Sequence, residues 1–226
     1  MLLNLLRAPL TPDVLLSALI AAGIILLVCI PVHEWAHCFT AYKMGDLTPK
    51  SQGRLTLNPL AHLDLMGTVF MLLCGFGWGK AAVINPRNFK NPKAGMAISA
   101  AAGPLSNILM AYIGMIAWKL IVYTATNPFT ASDGIPATII ITFIHINLIL
   151  AVFNLIPVPP LDGSRILALF LPKRAYFGLM KYERYSFIII AVLVMLGITQ
   201  GIISTGVNAL TDALDFLTGY IDAILL

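Results

Sequence analysis

His33-Glu34-Trp35-Ala36-His37 places two imidazoles and a carboxylate within five residues. On a helix His33 and His37 stand one turn apart on one face, where two ring nitrogens can grip a single Zn²⁺. Glu34 points about 100° round the helix, near enough to act as general base on a zinc-activated water without being a ligand. The chemistry that suits this pattern is hydrolysis of a peptide bond. Its setting is apolar, because the five residues lie inside a hydrophobic run that begins at Leu15. An ionised carboxylate near a bilayer centre costs about 2.5–3.5 kcal/mol even on the most lenient scale. Glu34 and Glu183 are the only glutamates, so finding one of them in that run argues for chemistry over packing between helices.

Catalytic zinc takes three protein ligands and leaves a fourth position open. A third candidate follows Asn154-Leu155-Ile156-Pro157-Val158-Pro159-Pro160-Leu161, where three prolines stop a helix and Asp162-Gly163 opens the next piece. A carboxylate there gains from the helix N-terminus and can reach a metal held by the first span. Alone, Asp162 reads as a helix cap; together with the two histidines it reads as the third ligand.

The elements that must position these groups are membrane spans. Hydrophobic residues make up 59% of the 226 residues and charged residues only 11%, with a mean hydropathy of +0.89. Soluble domains carry about 25% charged residues, so the composition predicts an all-α integral membrane protein. Four runs reach the roughly 18 residues a crossing needs: Val14–Tyr42, Gly95–Thr124, Gly134–Ile156 and Ser186–Ile203. Leu65–Gly79 is too short and holds Gly67, Gly75, Gly77 and Gly79, which predicts a re-entrant segment that gates the site or presents substrate. Alternating residues at Ser51–Leu57 and the stretch Lys80–Asn85 predict short β-strands near the cytoplasmic side. Beyond Ser204, Leu210, Leu214, Leu217, Ile221 and Leu225 recur at helical spacing, which predicts an amphipathic helix over about 205–226 lying in the outer interface.

All but Arg7 and Lys119 of the 14 Lys and Arg fall at Lys43–Arg54, Lys80–Lys93 and Arg165–Arg184. The positive-inside rule makes these stretches cytoplasmic, so the net charge of +4 needs no nucleic acid to explain it. Cys29, Cys38 and Cys74 form no disulfide framework, and Cys38 reads as a small buried hydrophobe. The N-terminal stretch lacks a cleavage-site pattern, so no removable signal peptide is expected. No repeat or linker divides the chain, which reads as one membrane domain over 1–226 with its catalytic core at about 14–171.

These residues resemble the site-2 protease family of intramembrane zinc metalloproteases. HEWAH is similar to that family's HExxH, PPLDG to its LDG motif, and Ala102-Gly103-Pro104-Leu105-Ser106-Asn107 to its AGPxxN motif. Gly53-Arg54-Leu55-Thr56-Leu57-Asn58-Pro59, Phe76-Gly77-Trp78-Gly79-Lys80 and Asn85-Pro86-Arg87-Asn88-Phe89 look like the compact bacterial branch, without the PDZ-like insertion or nucleotide-sensing domain of larger members. The resemblance implies one Zn²⁺ per chain on His33, His37 and Asp162, with Glu34 as general base. It implies that Asn154 positions substrate or stabilises the oxyanion, and that Asn107 packs close to the site, as a substrate contact or as interhelical glue. The implied partners are a membrane-protein substrate with a transmembrane helix and the lipid bilayer. The implied location is a bacterial plasma membrane, with the site toward the cytoplasm. His62 is expected to serve structure or a gate, and His145 with Asn147 to form a hydrogen-bonded interior pair. A non-catalytic zinc-binding scaffold is the alternative; a di-iron oxygenase would need more than the 4 histidines present.

Overall fold

The structure, a computed structural model, describes residues 12–74, 77–124, 135–172, 190, 192–193 and 196–225. The first apolar run forms helix α1 (Pro12–Ile24), a wide π-helical turn (Ile25–Cys29) and helix α2 (Ile30–Lys43). Pro31 has no N–H to offer the carbonyl four residues back, so the ladder loosens here and the Ile30 N–H bonds Ile25 O instead. Helix α2 carries both histidines and Glu34. It stops at Gly45, whose φ of +108° is open to glycine at little cost.

Two short helices follow, α3 (Thr48–Ser51) and α4 (Pro59–His62), then α5 (Leu65–Cys74) and a 3₁₀ turn at Pro86–Asn88. The rest consists of α6 (Pro92–Thr124), α7 (Ile135–Leu155), α8 (Asp162–Phe170) and α9 (Ile198–Leu225). Leu15–Lys43, Pro92–Tyr123 and Ile135–Leu155 are long and apolar enough to cross a membrane. On α6, Leu105, Leu109 and Ile113 recur every four residues and are each more than half exposed, as a lipid-facing stripe would be. The chain is thus an all-α membrane protein.

Helix α6 is the centre of the bundle and packs against α2, α7, α8 and α9. It approaches α7 closely at Gly114, where a Cβ would lie 2.9 Å from Ile144. Ala111, Met115, Ile144, Leu148 and Val152 form a core with Val207 and Leu214 of α9.

Three expectations change. Among the described residues there is no strand, only an isolated antiparallel bridge between Leu63 and Gly79. Ser51–Leu57 holds the end of α3 and a turn at Gly53 (φ +67°), because a proline-started helix and a left-handed glycine outweigh the alternation. Lys80–Asn85 is extended, but the N–H groups of Ala82 and Asn85 go to side chains rather than a neighbouring strand.

The expected span Ser186–Ile203 is interrupted at Leu196–Gly197, a turn where Gly197 has φ +70°. Most of its remaining residues lie outside the described ones. The C-terminal helix starts earlier than expected, at Ile198, and packs lengthwise on the bundle instead of lying across its outer end. Gly206 sits against Val152 near one end of α7, while Asp215 and Asp222 pair with Lys119 (2.8 and 2.6 Å) near the far end of α6. Val207, Leu214, Thr218 and Ile221 face inward, and Leu217 is exposed. The leucine pattern is only part of the packed face, and Lys119 offsets the charge of the two aspartates.

The two ends of the glycine-rich segment lie together. Leu63 and Gly79 meet, and the Lys80 N–H bonds His62 O at 2.7 Å, so the chain leaves and returns at one place. Gly67 and Gly77 do not have positive φ. They are needed for close approach: a Cβ at Gly67 would be 2.0 Å from Trp78 O, and one at Gly77 would be 2.1 Å from Gly67 O. Gly75 lies outside the described residues.

Candidate metal centre and active site

Helices α2, α6 and α8 converge to form the site. The Nε2 atoms of His33 and His37 are 3.0 Å apart, and each lies 3.2 Å from Asp162 Oδ2. Both imidazoles are buried. The other ring nitrogens are committed. The His37 Nδ1–H donates to Ser99 O at 2.7 Å, and the His33 Nδ1–H donates to Asn107 Oδ1 at 2.6 Å. With hydrogens assigned there, both Nε2 atoms aim lone pairs at a carboxylate oxygen that is buried and accepts no hydrogen bond.

Three converging electron-pair donors repel one another unless a cation sits among them. These residues fit zinc: tetrahedral bonds of about 2.0–2.2 Å put ligand atoms roughly 3.3–3.6 Å apart, close to the spacings seen. Among the described residues this is the group of His, Cys, Asp and Glu side chains arranged to hold a metal.

Two glycines make the convergence possible. A Cβ at Gly103 would lie 2.4 Å from His37 Cε1 and Nε2, and 2.6 Å from His33 Cε1. A Cβ at Gly163 would lie 2.1 Å from Leu155 O, so glycine lets the start of α8 fold tightly under the end of α7 and bring Asp162 inward. Pro104 sits inside α6 beside Gly103.

Glu34 stands beside the trio, and its Oε2 accepts the Ala82 N–H at 3.0 Å. A cavity of about 420 Å³ opens here, lined by His33, Glu34, His37 and Asp162 together with Trp78, Phe153, Asn154 and Arg165. Asn154 is on the wall; one of its amide hydrogens bonds Leu150 O at 2.9 Å. Asn107 is not on the wall. It is fully buried behind His33 and donates to Asn147 Oδ1 at 2.8 Å, and Asn147 in turn donates to Phe143 O. It thereby braces the His33 ring from behind and ties α6 to α7.

The remaining histidines separate. His62 is buried outside the trio, and its Nε2–H donates to Thr56 O at 2.7 Å, a brace within the segment that precedes α5. The expected His145–Asn147 pair does not form, since Asn147 is buried and His145 exposed. Two residues apart on a helix means about 200° of rotation, so they cannot share a face. Cys29 and Cys38 are free and buried, as their apolar surroundings predict.

Residues not singled out as site groups from sequence also contribute. Ser99 and Ala82 act through the backbone, which carries no side-chain signature. Asp46 and Arg54 bind the segment that reaches Glu34. The Asp46-Leu47-Thr48 triplet was the one local hint, as an Asx turn.

Relatives carry the same assignment. The chain is 39% identical over 192 residues to "Putative zinc metalloprotease YwhC" of Bacillus subtilis, covering 84% of this chain and 87% of that protein. It is 28% identical over 182 residues to "Putative zinc metalloprotease Rip2" of Mycolicibacterium smegmatis, covering 78% of this chain and 66% of that one. Rip2 of Mycobacterium tuberculosis (strain H37Rv) is 27% identical over 180 residues, 77% of this chain and 66% of the relative. No solved structure matches. Residues 121–199, which include Asn154 and Asp162 but not the histidine helix, match Peptidase family M50. With a buried two-histidine, one-aspartate centre beside a glutamate, the chain belongs to peptidase family M50, the site-2 protease family of zinc metalloproteases.

Proposed function

We propose that the protein hydrolyses a peptide bond within a transmembrane segment of a membrane-protein substrate, with Glu34 as general base. The observation that carries this is the cavity, which brings the donor trio and the Glu34 carboxylate to one wall among apolar residues inside a membrane bundle. His37 lies six residues before Lys43, so the site is roughly 9 Å along the helix from its basic end. Water entering from that side has a short path. The positive-inside rule makes that side the cytoplasm, in keeping with a bacterial plasma membrane.

His33, His37 and Asp162 hold the zinc, and Asp162 supplies the charge that two neutral imidazoles lack. Zinc, when bound, polarises the scissile carbonyl and acidifies water. Glu34 takes the proton of the attacking water on one carboxylate oxygen while Ala82 holds the other, and then returns it to the leaving amine. Asn154 has a second amide hydrogen free to meet the oxyanion.

A transmembrane helix hides its carbonyls in i→i−4 bonds, so the substrate must unwind before it is cut. The hairpin that carries α5 re-enters the bilayer, and its extended arm Lys80–Asn85 lies beside the cavity. The N–H groups of Ala81 and Val83 have no partner among the described residues and are free to pair with an unwound segment by strand addition.

The test is cleavage of a model transmembrane substrate by protein purified with zinc or with chelator, alongside Glu34→Gln. Zinc-dependent cleavage by the parent is expected, with a loss of about 10²–10⁴-fold in Glu34→Gln at unchanged zinc content. A zinc-loaded protein that cleaves nothing would favour a non-catalytic zinc scaffold. Normal cleavage by Glu34→Gln would remove the general-base role.

A further inference from the structure

Two buried charged side chains outside the metal centre grip the two ends of one short stretch of extended backbone. Asp46 is fully buried and follows α2 by three residues. Its Oδ1 accepts from the Thr48 N–H (3.0 Å), the Thr48 hydroxyl (2.6 Å) and Asn88 Nδ2 (2.6 Å). Its Oδ2 accepts from the Asn85 N–H at 2.8 Å. At the other end Arg54, 5% exposed, donates from Nη1 to the carbonyls of Ala61 and Lys80, the latter at 3.2 Å. Between these anchors lies Ala82, whose N–H donates to Glu34 Oε2.

The geometry has a closed form. Glu34 is on α2, and Asp46 is in the turn that ends α2, so the carboxylate and the anchor share one frame. The stretch from Lys80 to Asn85 is held to that frame and touches Glu34 at its middle. An aspartate suits the anchor because all four of its partners donate. An asparagine would replace acceptor lone pairs with N–H groups facing N–H groups.

We infer that Asp46 is a positioning residue for Glu34: by anchoring Asn85 and Asn88 it sets where the Ala82 N–H meets the carboxylate, and so how Glu34 faces the cavity. Arg54 performs the same task from the Lys80 end. The inference rests on the reading of Glu34 as general base, since its consequence for rate passes through that residue. Neither Asp46 nor Arg54 is on the cavity wall, so each acts through the backbone of 80–85 and not by touching substrate.

The test combines hydrogen exchange with kinetics in Asp46→Asn. Exchange of the amides in 80–85 should speed up about tenfold, the effect of losing hydrogen bonds to a charged group. The rate constant kcat should fall about tenfold with one zinc retained, and KM should rise by less than that, because a misplaced base slows the chemical step while the loosened arm only weakens its pairing with substrate. Asn88→Ala removes one donor only and should move exchange and kcat the same way by about threefold, deciding the matter if Asp46→Asn does not fold. Unchanged exchange at 80–85, or faster exchange with unchanged kcat, overturns the inference. A fall in zinc content or a rise in KM that matches the loss of rate overturns it too, by making Asp46 scaffolding. If the parent shows no zinc-dependent cleavage, the general-base reading fails, while exchange at 80–85 still shows whether the anchor exists.

Discussion

Gly103→Ala adds a single methyl group and should separate catalysis from folding. The new Cβ would stand 2.4 Å from two atoms of the His37 ring and 2.6 Å from His33 Cε1. Carbon contacts settle at about 3.5–4.0 Å, so helix α6 or the imidazoles must yield by about 1 Å. A metal site tolerates only about ±0.2 Å in its ligand distances. The rings cannot simply swing away, because Ser99 O and Asn107 Oδ1 hold them from behind, and both belong to α6 itself. Stability should fall by about 0–2.5 kcal/mol, since alanine in a helix gains about 0.5–1 kcal/mol over glycine against about 1–3 kcal/mol for overpacking. Activity should fall about 100-fold or more, the usual cost of a 1 Å misplacement. Elemental analysis, cleavage rate and Tm on one detergent preparation measure all three. Gly23→Ala is the control, since a Cβ there meets nothing within 4 Å, and it should keep zinc and activity. One zinc per chain and parental activity in Gly103→Ala would refute the argument that this glycine exists to seat the ligands.

Asp162→Ala should lose most of its zinc. Asp64→Ala should keep it, because Asp64 only caps α5 through the Gly67 N–H (2.8 Å) and should cost about 1 kcal/mol; equal metal content in both would return Asp162 to a cap. Burial by itself would push the Asp46 carboxyl up, but donors from Thr48, Asn88 and Asn85 outweigh it and hold the group below the usual carboxylate range. Its contribution to stability is therefore complete above the ordinary value of about 3.9 and is lost as pH falls through the lower folded value. Below about pH 4 the Tm of the parent should drop more steeply than that of Asp46→Asn, and parallel curves would show that the anchor is not ionised. Cysteines placed at Lys50 and Lys90 should label from the same, cytoplasmic side, and one at Thr130 from the other. Opposite labelling of Lys50 and Lys90 would mean that the hairpin spans the bilayer.

The residue types and their spacing were enough to point to the donor trio, the glutamate beside it and the membrane class. The reason is that HExxH and LDG are local patterns whose chemistry depends on helical periodicity, and that apolar runs of 20 or more residues have few soluble uses. The same periodicity could have excluded the His145–Asn147 pair, since 200° of rotation is readable from the numbering alone. What only the tertiary structure decided are contacts between distant segments. Asn107 lies behind His33 and off the cavity wall, because it is bonded to Asn147 of α7. Lys80–Asn85 is extended yet joins no sheet among the described residues, and Glu34, Asp46 and Arg54 take the backbone groups along one of its edges. The C-terminal helix lies along the bundle because Val207 and Leu214 join its core and Lys119, 96 and 103 positions earlier, pairs with Asp215 and Asp222. Strand propensity and amphipathicity are local averages. A single buried charge reaching across the chain is worth more than either, and its partner cannot be known until the helices are packed.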